Sequence, residues 1–408
     1  MERGPLWPGI TAAVVCALLS SQTAAAGQEL LSLADAIARA ATANPALRAA
    51  RTAEAIDIAG LAAAGQRPNP EVSVEAARET PHWAFAGTIP LELSGKRQRR
   101  LDVANATIAS TEAETARVAA DLRADVRRAY FVAVAAGRRV AVADDLVTIA
   151  TRARDAARDR FQTGAAPRLE ALQAELALAQ TQNDATAGRG DLAAARAELN
   201  ALLAYPGDAA PALADPLEVG PLPVQSLVMG AALSGNAELA VLDKRIAEDR
   251  ARVALATAMR RPDPSLTGTL TYDAPGEFTF GWRAGAAIAL PIFTTGRPDI
   301  RIAEATLAHA IADREARAAQ VSGAVTAALS RATAARQALD RYQSDVLPTL
   351  TQVEQMAEES YRAGQTGLPA YLQTLQAARE IRQRAVQAGL DYQMALADLE
   401  HAMGKPLQ

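Results

Sequence analysis

Residues 278–290 read FTFGWRAGAAIAL, and the residues along this stretch alternate strictly in character. The even positions, from Phe278 to Leu290, are all apolar, whereas the odd positions are small or polar and include Arg283. A period of two residues is typical of a β-strand, because successive side chains of a strand point to opposite faces. We therefore predict a long strand here with one wholly apolar face.

A second alternating stretch precedes this strand and predicts a hairpin. Residues 265–272 place leucine, glycine and tyrosine opposite serine and threonine, and residues 273–276 (DAPG) supply the turn. The first half of the chain carries a rougher copy at residues 71–76 and 85–93, with Thr80-Pro81-His82 between the two runs. Each half of the chain thus contributes one predicted hairpin.

Alternating runs of about 9 to 11 residues are typical of strands in outer-membrane barrels. On this interpretation one face of each strand meets lipid and the other faces the lumen. The lipid-facing residues are then Phe278, Phe280, Trp282, Ile288 and Leu290, and the lumen residues are Glu71, Glu92 and Arg283. Arg283 either tunes the passage of ions or pairs with Glu71 or Glu92.

Four strands are too few for either obvious closed structure. A soluble sandwich would need more strands to form a core, and a bacterial barrel closes with at least about 8 strands. Three chains would contribute 3 × 4 = 12 strands, an even number that such barrels permit.

Helical segments flank both hairpins. Opening helices are predicted at residues 33–65 and at about 224–260, and each stops before a Pro-x-Pro pair that favours extended chain, Pro68/Pro70 and Pro262/Pro264. From Lys96 to Ala166 the chain has no proline, which predicts a helix approaching about 100 Å in length.

Two details of the long helical stretches can be tested against the structure. Pro348 in the second copy stands where the first copy has Thr148, which predicts a kink in the second copy alone. Lys96, Arg97, Arg99 and Arg100 follow the first hairpin, and we expect them either to bind lipid phosphates or to form a solvated helix surface.

The whole chain is an internal duplication. Phe161-x-x-Gly164 corresponds to Tyr361-x-x-Gly364 with an offset of 361 − 161 = 200, and the Pro-x-Pro pairs correspond with an offset of 262 − 68 = 194. We divide the chain into a secretory leader at 1–26, with cleavage after Ala26, a first repeat at 27–220 and a second repeat at 221–408.

Composition excludes several functions. The net charge of −4 provides no basic field for nucleic acid, and the only cysteine, Cys16, lies in the predicted leader, so we expect no disulfide and no thiolate site. His82, His309 and His401 have no second ligand at a suitable spacing, which argues against a metal site. No set of convergent titratable groups supports an enzyme or a cofactor site.

At this point the sequence resembles the TolC-like family of outer-membrane efflux proteins. The resemblance rests on residues 31–36 (LSLADA), on Asn44-Pro45-Ala46-Leu47, on the Pro-x-Pro pairs and on the two aromatic-x-x-Gly turns, in duplicated order. Residues 90–97 (PLELSGKR) are further similar to the CzcC-like branch, which serves cation-exporting pumps. The resemblance implies a mainly α-helical fold with a β-barrel part: long helical hairpins build a periplasmic tunnel below a 12-stranded barrel shared by a homotrimer.

The resemblance also implies partners and a site. The protein is expected in the cell outer membrane, extending into the periplasm, where the hairpin tips narrow to an aperture and meet a periplasmic adaptor protein and an inner-membrane pump of the RND type. Phe161, Gly164, Tyr361 and Gly364 are assigned to the tips. Members of the family carry acidic residues six and nine positions after the second tip glycine, but this chain has the neutral Ala370 and Gln373 there.

The first repeat retains one acid at the corresponding level. Glu170 lies six positions and Gln173 nine positions after Gly164. Three copies of Glu170 around a threefold axis would form a carboxylate ring, and the alternative is an ordinary solvated charge on a helix.

Two functions remain open. The first is a passive outer-membrane channel of a tripartite efflux system, with heavy-metal cations as one class of cargo. The second is a soluble periplasmic coiled-coil scaffold or adaptor without a membrane barrel. The apolar face of residues 278–290 distinguishes them, because a channel exposes this face to lipid and a scaffold buries it.

Overall fold

The computed structural model describes residues 30–405 except 219, 221 and 223, and it describes the side chains of this part except those of 225–227 and Phe278. The predicted leader at 1–26 lies outside the described residues. The strands are β1 Leu30–Leu31, β2 Glu71–Ala76, β3 Trp83–Pro90, β4 Ala212–Leu213, β5 Pro264–Ala274 and β6 Phe278–Ile288. The helices are α1 Leu33–Ala43, α2 Pro45–Ala64, α3 Lys96–Gln162, α4 Arg168–Leu203, α5 Gln225–Gly235, α6 Ala237–Met259, α7 Arg297–Arg341, α8 Leu347–Arg362 and α9 Leu368–Met403.

The two hairpins join in one antiparallel sheet with the order β2-β3-β5-β6. The register aligns Val74 with Phe85, Phe85 with Leu270, and Leu270 with Trp282. Because directly opposed residues of antiparallel strands share a face, the apolar positions of all four strands lie together, and the small and polar positions lie on the other side. Within the described residues, β2 and β6 are unpaired along their outer edges.

Each predicted opening helix is in fact two helices, so the prediction of one continuous helix is wrong in both repeats. Asn44 and Asn236 have extended ψ angles of 127° and 124° and end one helix while capping the next. Each asparagine accepts hydrogen bonds from two following amides and donates through Nδ2 to a carbonyl of a closing helix, Leu202 O or Ala402 O. Pro45 explains the first break, since it disfavours the α conformation at Asn44.

The predicted long helix is confirmed. Helix α3 contains 67 residues, which corresponds to about 100 Å. Near the sheet it packs with α2 and α6, and α7 packs against α6; farther along it packs with α4 and α9, and α8 packs against α9. Helix α3 thus connects the sheet to the distant hairpin turns without interruption.

In the second copy, where a kink is predicted, a π-helical segment at Tyr342–Val346 interrupts the α-helix just before Pro348. Pro348 has no amide hydrogen to continue the α-helical pattern, and a π-helical turn accommodates the missing hydrogen bond. In the first copy the helix continues through Thr148. The two halves are therefore symmetric in topology and different in local geometry.

A core midway along the helices joins the repeats, since Leu390 of the second repeat packs among buried residues of the first. Tyr130 is fully buried, and its hydroxyl lies 2.8 Å from Leu31 O and 3.0 Å from Asp215 Oδ2. Burial raises the pKa of Tyr130 to about 12, so the hydroxyl stays protonated.

No helix in the described part of the chain is both long and apolar enough to cross a membrane.

Candidate functional site

The two hairpin turns at the far end of the helices are built alike. Gly164 and Gly364 have positive φ angles of 75° and 71°, and each donates its amide to the aromatic residue three positions earlier, at 3.1 Å to Phe161 O and 3.0 Å to Tyr361 O. Glycine suits this left-handed conformation because it has no Cβ to clash. Both turns therefore reverse the chain at the same point of their hairpins.

The aromatic residues beside these glycines differ sharply in burial. Tyr361 is 1% exposed and stacks on Tyr371 with ring centroids 5.1 Å apart, whereas Phe161 is 42% exposed. Leu368 and Leu375 complete the cluster around Tyr361, together with small alanines of α3 and α4. Tyr361 therefore packs between the helices of the hairpins, whereas Phe161 lies largely on the surface of the protomer.

Glu170 binds the second hairpin. Its Oε1 accepts a hydrogen bond from the Tyr361 hydroxyl at 3.0 Å and lies 3.7 Å from Arg160 Nε. Arg160 also donates to Tyr361 O at 3.2 Å, and its guanidinium lies 5.3 Å from the centre of the Tyr361 ring. The Glu170 side chain is 13% exposed, so the alternative of a solvated helix charge is wrong. Whether three copies form a ring stays a prediction.

The electrostatics of this cluster keep its tyrosines neutral. Burial raises the pKa of Tyr361 far above its usual range, and the hydrogen bond to the Glu170 carboxylate and its negative charge raise that pKa further. Burial raises the pKa of Tyr371 to about 12. The Tyr361 hydroxyl is therefore a permanent hydrogen-bond donor toward Glu170.

The other predicted tip residues lie on the surface of the two hairpins. Gln173 follows Glu170 on α4, and Ala370 and Gln373 lie on the first turns of α9; all three are exposed. The assignment of these three residues to an aperture stays a prediction. The contact between Glu170 and Tyr361 joins residues 191 positions apart, and no local pattern indicates it.

At the sheet, Glu71 and Arg283 lie on the polar face and are exposed in the protomer. They stand on the two outer strands, so three strand spacings of about 4.8 Å each separate them and they do not pair within one chain. Glu92 lies beyond the end of β3 and binds Arg100, with Oε2 3.0 Å from Nη2. The expectation that Glu92 pairs with Arg283 is therefore wrong.

Of the four cations after the first hairpin only Lys96 is buried, so the expectation of a solvated helix surface is wrong for Lys96. Lys96 is 5% exposed, and its Nζ lies 2.7 Å from Asp263 Oδ2 in the second repeat. Arg97 Nε donates to Gly65 O at 2.6 Å, and Arg100 donates to the carbonyls of Ala64 and Gln66. Arg97 and Arg100 thus cap the end of α2, and Lys96 connects the start of α3 to the second repeat. Arg97 and Arg99 are exposed, and Arg99 pairs with Asp102.

The predicted lipid-facing side chains are exposed in the protomer. Phe280, Trp282, Ile288 and Leu290 are 60%, 76%, 52% and 65% exposed, and the side chain of Phe278 lies outside the described part of the structure. A soluble scaffold would bury this face against another layer, and no layer in the described part of the chain covers it.

Polar residues outside these regions form hydrogen bonds and ion pairs. Among the described residues, no group of three or more histidine, cysteine, aspartate or glutamate side chains is arranged to hold a metal ion. His401 lies 2.8 Å from Asp121 through Nε2, and His82 lies 3.2 Å from Ala77 O through Nδ1.

Comparison with characterised proteins agrees with this geometry. The chain is 27% identical over 376 residues to the cobalt-zinc-cadmium resistance protein CzcC of Cupriavidus metallidurans, a match that covers 90% of this chain and 88% of that protein. Solved structures of CusC and of the CmeC outer membrane channel of Campylobacter jejuni both superpose with a TM-score of 0.75. Their identities to this chain are 18% and 17%; each likeness covers 91% of this chain, with 92% of CusC and 85% of CmeC.

These likenesses concern the fold, and they confirm the predicted architecture of long helical hairpins with a strand region that belongs to a barrel. The sequence profile described as "Outer membrane efflux protein" matches residues 36–204 and 228–405, most of the described chain. The chain therefore belongs to the outer membrane efflux protein family, as the sequence resemblance predicted.

Proposed function

We propose that three copies of this chain form a passive channel through which an inner-membrane pump expels cargo across the outer membrane. The observation that carries the proposal is the four-stranded sheet, which has one exposed apolar face and two unpaired edges. Three such sheets supply 3 × 4 = 12 strands, and edge-to-edge pairing satisfies every exposed backbone group inside the bilayer. Twelve long helices would continue the barrel as a tunnel.

The hairpin tips are the proposed aperture of this tunnel. The hydrogen bond between the Tyr361 hydroxyl and Glu170, supported by Arg160, ties the first hairpin to the second within each subunit. Opening requires the hairpins to separate or rotate, so this contact opposes opening. A periplasmic adaptor protein that binds the tips, together with an RND-type pump in the inner membrane, would supply the energy that shifts the equilibrium from closed to open tips.

Heavy-metal cations are the proposed cargo. The support is the similarity to a cobalt-zinc-cadmium resistance protein over nearly the whole chain. A conduit needs no tight site for such ions, and the exposed acids Glu71 and Glu75 on the polar face of the sheet would attract them. Deletion of the gene should make the cells more sensitive to cobalt, zinc or cadmium. Unchanged sensitivity of the cells to all three metals would mean that the cargo is something else.

A soluble periplasmic scaffold is the competing function, and the exposed apolar face disfavours it. The test is to fractionate cells and to run the detergent extract of the outer membrane without heating. The channel predicts a heat-modifiable trimer in that fraction. A freely soluble periplasmic monomer would contradict it.

A further inference from the structure

A cavity of about 290 Å³ lies between the two repeats, beside the π-helical segment. Helix α9 packs against both α3 and α7 and forms the floor of the cavity between them. Helix α3 forms one wall, and the end of α7 with the π-helical segment forms the other. The segment that connects the repeats closes one end. All of these elements belong to one chain, so the cavity needs no second subunit.

The closed end of the cavity is held in place by hydrogen bonds and close packing. Leu217 is 2% exposed and lies on Gly389 of α9, where an added Cβ atom would come within 3.0 Å of the leucine. The buried Gln393 donates through Nε2 to Leu217 O at 2.7 Å, and Arg336 donates through Nη1 to Glu218 O at 3.4 Å. A site that is already ordered loses less free energy when a ligand binds.

The π-helical segment shapes the opposite wall. Tyr342 and Gln343 lie on this segment and line the cavity. With the offset of 200, the first repeat has Val142 and Ala143 at the corresponding positions of an uninterrupted α-helix. The cavity therefore lies where the two repeats differ in backbone geometry. Short π-helical segments are frequent at functional sites of proteins.

The inner surface of the cavity is largely apolar. Leu339 is 3% exposed, and Val142, Leu347, Val386 and the Tyr342 ring are half-buried. Ligand sites typically combine apolar and aromatic side chains with a few polar groups, and their volumes start at about 300 Å³. The cavity suits a small organic molecule better than a metal ion, because apolar side chains cannot replace the water ligands of an ion.

The charged side chains around the cavity favour one sign of ligand. Arg138, Asp145 and Glu218 line it, and within the described residues their side chains form no hydrogen bond or ion pair. Arg382 lines it too, but its Nη2 lies 2.6 Å from Glu354 Oε2, so this charge is balanced. Two unpaired carboxylates and one unpaired guanidinium give a net charge of −2 + 1 = −1. A positively charged ligand is therefore favoured over a negatively charged one.

We propose that this cavity binds a small organic cation, with the apolar body of the ligand between α3 and α7 and its charge near Asp145 and Glu218. A quaternary ammonium group fits such a site. Carboxylates and aromatic side chains both attract it, and it has no N–H group that would need an acceptor in the apolar interior. The ligand is distinct from the proposed metal cargo, and its binding does not depend on assembly of the channel.

Three related probes test the class of ligand. Benzyltrimethylammonium joins an aromatic ring to a permanent positive charge, tetramethylammonium has the charge without the ring, and phenylmethanesulfonate has the ring with a negative charge. Ligand-observed NMR on the purified protein in a nonionic detergent should show saturable binding of the first probe and weaker binding of the other two. No saturable binding of benzyltrimethylammonium, or equal or tighter binding of either other probe, would overturn the proposal.

Substitutions on α9 locate the bound probe. Ala385 lines the floor of the cavity, so Ala385→Phe should fill the space and remove the saturable binding of benzyltrimethylammonium. The matched control is Ala377→Phe, the same change at an exposed position of the same helix away from the cavity. Its binding should equal that of the wild type. Unchanged binding in Ala385→Phe would place the probe elsewhere on the protein and overturn the site.

Two substitutions of charge are expected to shift the dissociation constant in opposite directions. Asp145→Asn removes an attracting charge and should raise the Kd of benzyltrimethylammonium roughly two- to fivefold, the range of an exposed charge pair. Arg138→Gln removes a repelling charge and should lower the Kd by a similar factor. Both residues are exposed, so these variants test the site even if Ala385→Phe does not fold.

Shifts in the same direction, or no shift in either variant, would overturn the assignment of charge to the cavity. Neither the trimer nor its conductance enters these measurements. A negative result would therefore reject the binding site and leave the proposed channel unaffected.

Discussion

The Tyr361 hydroxyl is the atom whose removal tests the tip most cleanly. In Tyr361→Phe the ring and its stacking on Tyr371 remain, while Glu170 loses its 3.0 Å donor. Loss of such a hydrogen bond costs roughly 1 to 3 kcal/mol, and we expect it to favour the open tip. Single-channel recordings of Tyr361→Phe should then show a higher mean conductance than those of the wild type.

Tyr371→Phe is the matched control for that prediction. It removes the same atom from the other member of the stacked pair, and Tyr371 has no part in the bond to Glu170. Its conductance should stay at the wild-type level. Equal conductance in all three proteins would mean that the hydroxyl does not hold the tip.

Substitutions of two neighbouring acids on α6 are expected to change the stability of the trimer in opposite directions. Asp249 is 3% exposed, and its Oδ2 has no hydrogen-bond partner in the described part of the protein. Asp249→Asn removes a poorly compensated buried charge and should raise the unfolding temperature of the trimer. Glu248 is bound by Thr107 and Arg252, so Glu248→Gln should lower the unfolding temperature. A loss of stability in both variants would show that Asp249 is well compensated in the assembled channel.

Among the elements, the breaks at Asn44 and Asn236 organise the middle of the molecule. Asn236→Ala removes the cap of α6 and the bond from Nδ2 to Ala402 O. The loss of an N-cap costs about 1 kcal/mol, and the buried carbonyl left without its donor adds roughly 1 to 3 kcal/mol. Chemical denaturation should report a larger loss than for Ser32→Ala, which removes an exposed cap alone.

The strands and the long helix could be predicted from the sequence because their signals are local. Alternation at residues 278–290, the Pro-x-Pro pairs and the tip glycines each depend on neighbours in the chain. The break at Asn236 was missed because no proline marks it and asparagine alone is a weak signal. Its cap is stabilised by Ala402, which lies 166 positions away.

Contacts between repeats were the part that the sequence did not reveal. Lys96 was expected at a surface, yet it is buried against Asp263 at a separation of 167 positions. Glu170 was weighed as a solvated charge, yet it is held by Tyr361 of the other hairpin. Such pairings depend on which helices lie side by side, and periodicity within one helix carries no information about its neighbour.

At the level of the whole molecule, the sheet of one protomer does not close on itself. Within the described residues its sheet has two unpaired outer edges, and an unpaired edge inside a bilayer would leave backbone groups without partners. The apolar face on the same sheet needs lipid rather than water. Both requirements are met when three copies close a barrel, which is the central claim of this account.

Planar lipid bilayers test that claim most directly. Purified trimer should insert and produce discrete, stepwise currents. The variant Trp282→Asp/Phe280→Asp, which places carboxylates on the apolar face, should insert far less often, because charges facing the bilayer core are strongly disfavoured. The result that would contradict the account is a folded wild-type trimer that never conducts.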